Sequence, residues 1–158
     1  MKIRPAQVAD ADKICSLVNH YAERGKMLHR SLESVYGALR EFLVAQDNNG
    51  NVIGCVALDI FWSDLAEVKS LAVSPDLVGK GIGGKLVKAT IADARRLGIK
   101  KIFALTYEKE FFARQGFSET DRRTLPEKVW RECFACPKAD ACDEIAMLLS
   151  LNGESNGQ

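Results

Sequence analysis

Residues 71–87 read LAVSPDLVGKGIGGKLV. An apolar run meets Pro75, and glycines follow at 79, 81, 83 and 84 with Lys80 among them. Residues with helical apolar spacing come next, so the stretch is a strand, a turn and the start of a helix. The first turn of a helix leaves about four N–H groups unpaired and carries about half a positive charge. Glycine lets the backbone take positive φ and close on an anion with no Cβ in the way. A glycine inside a helix costs about 1 kcal/mol against alanine, so this cluster points to a use. Binding of a phosphate or pyrophosphate is that use; the competing reading is a tight turn with no ligand.

Two familiar phosphate loops fit poorly. Gly79, Gly81 and Gly84 satisfy G-x-G-x-x-G, but no acidic residue closes the following strand IFALTY before Glu108, where a ribose contact belongs. A proline-containing loop also separates the glycines from the preceding strand. A Walker loop needs Gly-Lys-Ser/Thr at the helix start, and it is absent.

Around this junction the pattern is mixed α/β. A short strand over Met1–Pro5 precedes a helix for which Asp10 is a cap candidate and Ile14, Leu17, Val18 and Tyr21 form one face. Ser31 is a second cap candidate, followed by Leu32, Val35, Leu39 and Phe42 at helical spacing. Strands over 42–47 and 52–61 flank Asn49-Gly50, a pair suited to a tight hairpin turn. A strand over 67–73 leads through the glycine turn to a helix over 82–97, with Ile82, Leu86, Ala89 and Leu97 among its apolar positions and Gly98 past its end. Strand 102–107, a short helix at EFFARQ and a last strand over 144–151 complete the order. The expectation is a mixed sheet with one dominant βαβ unit over 67–107.

The chain has 158 residues, 47% of them apolar, which suits one domain over 1–151 and a polar tail over 152–158. A net charge of +1 gives no reason to expect nucleic acid or a membrane surface as partner. Apolar runs are too short to span a bilayer and the charged N-terminus has no signal-peptide core, so a cytoplasmic protein is expected. Five cysteines argue against a disulfide scaffold. Cys133, Cys136 and Cys142 are spaced C-x2-C-x5-C, one ligand short of a structural zinc site. Asp140, Asp143 or a second subunit are the candidate fourth ligands; buried thiols packing a C-terminal loop or a redox-labile pair are the alternatives, and they are preferred to a structural zinc.

Two segments resemble the GCN5-related N-acetyltransferase family. Its pyrophosphate loop, Arg/Gln-x-x-Gly-x-Gly/Ala after a Leu-x-Val-x-Pro run, is matched by Val78-Gly79-Lys80-Gly81-Ile82-Gly83 after Leu71-Ala72-Val73-Ser74-Pro75. Val78 departs from the family's Arg or Gln but removes no backbone amide. The second signature, Phe-Tyr-x-Lys-x-Gly-Phe, is matched by Phe111 to Phe117, with Phe112 in place of the tyrosine. The resemblance covers residues 1 to 120 in element order. It implies that family's α/β fold, with helices flanking a mixed sheet and a splayed strand pair at an acetyl-CoA site. It assigns Leu71, Ala72 and Val73 to pantetheine, Val78, Gly79, Lys80, Gly81, Ile82, Gly83 and Gly84 to the pyrophosphate, and Phe111 to the cofactor wall. Glu67, at the head of the splayed strand, is the candidate general base, and Tyr107 the candidate acid in place of the missing tyrosine. For Glu67 the competing reading is a solvated strand-end carboxylate, and for Tyr107 a core or rim aromatic.

A narrower resemblance is to the acetyltransferase domain of bacterial N-acetylglutamate synthases, in particular to short stand-alone forms. It rests on Leu28-His29-Arg30-Ser31, on Gly54-Cys55-Val56-Ala57-Leu58, on Phe112 and on Leu125-Pro126-Glu127. A dicarboxylic amino acid needs two cations. Arg30 offers a planar fork for carboxylate, and Lys69 shares a strand face with Glu67. The resemblance therefore implies acetyl transfer to the α-amine of glutamate, the first step of arginine synthesis, with small molecules as partners and a homodimer as the assembly. The alternatives are another amino acid such as glutamine, a polyamine, or a non-catalytic acyl-CoA-binding regulator.

Overall fold

The computed structural model describes residues 1–125 and 144–151. One seven-stranded sheet organises them, in the order β1-β2-β3-β4-β5-β7-β6. Its strands are β1 (Lys2–Pro5), β2 (Phe42–Gln46), β3 (Val52–Trp62), β4 (Leu65–Val73), β5 (Lys101–Thr106), β6 (Ser118–Thr120) and β7 (Ile145–Ser150). The helices are α1 (Ala11–Ala22), α2 (Leu32–Gly37), α3 (Ile82–Leu97) and α4 (Lys109–Arg114). Neighbouring strands are antiparallel except β4 and β5, which run parallel across the α3 crossover.

The apolar periodicity explains the layers. On one face of the sheet, α3 buries Ile82, Leu86, Val87, Ile91 and Ala94 against Val56, Leu58, Val68 and Ile102. On the other, α1 buries Ala11, Ile14, Leu17 and Val18 with Val35 of α2 against Val44, Cys55 and Ala57. Each large aliphatic side chain taken from water contributes about 1.5–3 kcal/mol. Gly54 lets α3 sit this close to β3: a Cβ there would lie 3.0 Å from Leu86 Cδ1.

Parallel pairing of β4 with β5 runs only from Leu65–Lys101 to Glu67–Phe103. Beyond Glu67, β4 stays on β3 up to Val73 while β5 stays on β7 up to Thr106. The two strands therefore splay from Glu67 onward, and the sheet opens into a cleft. A bulge adds to this. Cys55 faces Ala72 but Ala57 faces Lys69, so β4 carries one extra residue there, and Ser70 takes φ 54°.

Several expectations need correction. Asp10 does not cap α1 with its side chain; it accepts from Gln7 N–H at 2.7 Å and pairs with Arg4 at 2.8 Å, closing a 3-10 turn ahead of the helix. Ser31 does cap α2, accepting from Ser34 N–H at 3.0 Å. That helix stops at Gly37, and Leu39 and Phe42 fall in a 3-10 turn and in β2. Only Gly50 of the Asn49-Gly50 pair has positive φ, because the loop is a three-residue turn with its glycine at the closing bulge. Leu97 is exposed, since the buried face of α3 runs through Val87, Ile91 and Ala94. Strand β6 escapes the pattern; three residues are too few for alternation to register. The cysteine tract and residues 152–158 lie outside the described residues.

Candidate active site

The splay opens a cleft of about 820 Å3, lined by β4, β5, α4, the start of α3 and the loop between α1 and α2. One end presents the unpaired backbone amides of a helix start. Gly79 and Gly81 have φ of 89° and 87°, and a Cβ on either would point into open space, so both are required by backbone conformation alone. Gly81 caps α3 with no side-chain acceptor and no acidic residue follows in the first turn, so the helix's positive end faces the cleft uncompensated. The intrahelical ladder starts with Lys85 N–H on Gly81 C=O at 3.1 Å, which leaves the amides of Ile82, Gly83 and Gly84 outside it.

The other glycines differ. A Cβ on Gly83 would meet the Phe111 ring at 3.4 Å, and one on Gly84 would meet the Gln115 amide at 3.4 Å. Both are ordinary contacts on ordinary backbone, so these two glycines lie against α4 without being required by it. Phe111 stands edge-on to Phe112, and Phe112 to Phe117, which locks α4 in place. Val78 is exposed on the cleft rim. Lys80 is exposed and is not part of the lining, and Ala72 is buried in the core beneath α1.

The wall between is β4. Ser74 N–H donates to Ile53 C=O at 2.9 Å, so strand alternation turns the peptide groups of Leu71 and Val73 away from β3 and toward the splay. The Tyr21 hydroxyl crosses from α1 and donates to Val73 C=O at 2.5 Å. Burial raises the pKa of that phenol above its ordinary value and keeps it a donor.

The opposite end carries charge. Glu67 is 5% exposed and lies where β4 and β5 part, lining the cleft. Tyr107 lines it from the end of β5. The Arg30 guanidinium lies over the Phe42 ring at 5.2 Å, with Nε on Ser34 Oγ at 3.3 Å and Nη1 on Ser70 Oγ at 3.2 Å. Its main chain is fixed as well: Asn19 Oδ1 accepts its N–H at 2.9 Å and Asn19 Nδ2 donates to its C=O at 2.7 Å. Lys69 lines the cleft with its ammonium 2.7 Å from Asp59, the residue beside Glu67 on β3. Beneath the bulge, burial pushes the Cys55 thiol up to about 12, and its Sγ sits 3.5 Å from Ser70 C=O. Among the described residues no cluster of His, Cys, Asp and Glu could hold a metal ion.

The fold thus brings Arg30, Glu67, Lys69, Leu71, Val73, Tyr107, Phe111 and the glycine turn to one cleft, leaving Ala72 and Lys80 outside it. Sequence reasoning missed Tyr21, Ser70 and Gln115. Tyr21 reads as one more residue on an apolar helix face, and nothing local marks the bulge at Ser70.

Comparisons place this architecture. The sequence profile of the acetyltransferase (GNAT) family matches residues 13–117. The chain belongs to that family. Within it, the chain is 43% identical to an uncharacterized N-acetyltransferase of Chlorobaculum tepidum, over 94% of this chain and 96% of that one. It is 41% identical to an amino-acid acetyltransferase of Mycobacterium tuberculosis, over 82% and 75% of the two chains. The fold superposes on the M. tuberculosis protein Rv2747, solved in complex with CoA and NLQ, with TM-score 0.83 and 34% identity over 96% and 99% of the chains. It also matches N-acetylglutamate synthase from Neisseria gonorrhoeae, solved with coenzyme A and N-acetyl-glutamate, with TM-score 0.86 and 32% identity. That match covers 95% of this chain but 35% of the synthase.

Proposed function

We propose that this acetyltransferase moves the acetyl group of acetyl-CoA to the α-amine of glutamate, supplying the first step of arginine synthesis. The observation that carries the reading is a single cleft holding both an uncompensated helix N-terminus and a guanidinium fixed on three sides. The first suits the pyrophosphate of coenzyme A and the second an amino-acid carboxylate. The amides of Ile82, Gly83 and Gly84 hold the pyrophosphate, and Leu71 and Val73 take up the pantetheine arm as an added strand edge.

In this reading Glu67, directly or through a water, removes a proton from the substrate ammonium. The freed amine attacks the thioester carbonyl, forming the C–N bond. Amides on the open edge of β4 stabilise the oxyanion. The C–S bond then breaks as the nitrogen, cationic after attack, gives up its second proton to water; Tyr107 donates a proton to the leaving thiolate and is reprotonated from water. Phe112 has no proton to give, which is why this role falls to Tyr107.

One observation favours glutamine as a second acceptor. Lys69, the candidate for the side-chain carboxylate, is already bonded to Asp59 at 2.7 Å. A neutral side-chain amide needs no second cation. The test is thiol release from acetyl-CoA scanned over the twenty amino acids, repeated with Arg30→Ala. Glutamate as the best acceptor supports the reading, with a KM that Arg30→Ala raises about tenfold or more while the acetyl-CoA KM holds. A different best amine refutes it.

A further inference from the structure

Resting on that reading, we infer that Ser70, the bulge residue of β4, is a positioning residue that aims the Arg30 guanidinium at the acceptor's carboxylate. Ser70 is the one non-glycine residue with positive φ among the described residues, at 54°. A side chain costs about 1–2 kcal/mol in that conformation, and glycine would avoid the cost. The strain therefore has to be held by the surroundings, and such outliers concentrate where geometry serves a site.

What the side chain provides is visible. Ser70 Oγ accepts from Arg30 Nη1 at 3.2 Å. Arg30 comes from the loop before α2, a separate part of the chain from β4. Ser34 Oγ and the Phe42 ring hold the Nε side and one face of the guanidinium. Ser70 supplies the remaining anchor, from the strand that carries Glu67 and the amides of Leu71 and Val73. Without it the guanidinium can swing about its Nε side, and the carboxylate it binds loses register with the acyl-binding strand. The bulge itself is independent of the hydroxyl: it is set by the offset pairing of Cys55 with Ala72 and Ala57 with Lys69.

The test uses two substitutions that remove the same hydroxyl with opposite backbone consequences. Ser70→Gly relieves the positive φ, and Ser70→Ala keeps it. Both are expected to raise the amino-acid KM about tenfold, the usual worth of a hydrogen bond to a charged group. Both should leave the acetyl-CoA KM within about twofold, a fold-change small on the same scale. Ser70→Gly should melt no lower than the wild type, so its kinetic defect cannot be a folding defect. A Ser70→Gly enzyme with wild-type amino-acid KM overturns the inference. So does a loss that falls equally on both substrates, which is what a merely structural role would give. If the wild-type chain acetylates no amino acid, the underlying reading fails and takes this inference with it; if it does and Ser70→Gly is silent, this inference alone fails.

Discussion

Gly81→Ala is the most informative single change at the anion end of the cleft. Gly81 sits at φ 87°, ψ 2°, and an added Cβ would meet nothing within 4 Å. The penalty is therefore purely one of backbone conformation, about 1–2 kcal/mol for a non-glycine residue in the left-handed region. For a chain of this length each kcal/mol moves Tm by roughly 2–4 °C, so a fall of roughly 2–8 °C is expected. The residue can relieve the strain only by rotating the peptide that leads into Ile82, which turns the first amides of α3 off the cleft. Losing one such donor to a charged phosphate is worth about 1.5–3 kcal/mol, or roughly tenfold to a hundredfold in coenzyme A affinity. Gly83→Ala is the control. Its backbone is ordinary, its Cβ would only touch the Phe111 ring at 3.4 Å, and alanine recovers about 1 kcal/mol of helix propensity. Thermal melts and calorimetric titration with coenzyme A measure both quantities. If Gly81→Ala melts with Gly83→Ala and binds coenzyme A like the wild type, the account of this turn is wrong.

The remaining predictions concern the carboxylates. Glu67→Gln keeps the side-chain shape but cannot take a proton, so kcat at neutral pH should fall about 100-fold or more; an unchanged steady-state rate removes Glu67 as the base. Asp10 is held below the usual carboxylate range, chiefly by its hydrogen bonds from Arg4, with help from Gln7 N–H. Its folded pKa is depressed, so its stabilisation is present above the unfolded value of about 3.9 and is lost as pH falls through the folded value. Asp10→Asn should therefore lower stability at pH 7 by on the order of 1–3 kcal/mol and flatten the acid limb of a denaturation profile; a limb of unchanged steepness refutes the assignment.

Much of the candidate site's local structure was legible before the fold. The glycine turn could be read because its information is local: helix starts leave amides unpaired, and few sequences place glycines there without reason. The βαβ unit, Gly98 after α3 and Ser31 before α2 follow from periodicity and caps, which also act over a few residues. Even so, the four glycines looked alike in sequence and divide into two kinds in space. Gly79 and Gly81 hold the left-handed conformation of the turn, whereas Gly83 and Gly84 have ordinary backbone and lie against α4, a partner about thirty residues away. Asp10 shows the same limit. A cap and an ion-pair partner have the same local signature, and Arg4 decides between them.

By itself the sequence determined the element order, the central strand–turn–helix and the acidic and basic residues available to the chemistry, because periodicity, capping and glycine's freedom are properties of short segments. Only the tertiary structure decided where β4 leaves β5, that the Tyr21 hydroxyl occupies Val73 C=O, that Asp59 holds Lys69, and that a strained serine anchors Arg30. Each of these joins residues far apart in the chain. Their geometry is set by register and packing across the sheet, and no window of neighbouring residues encodes it.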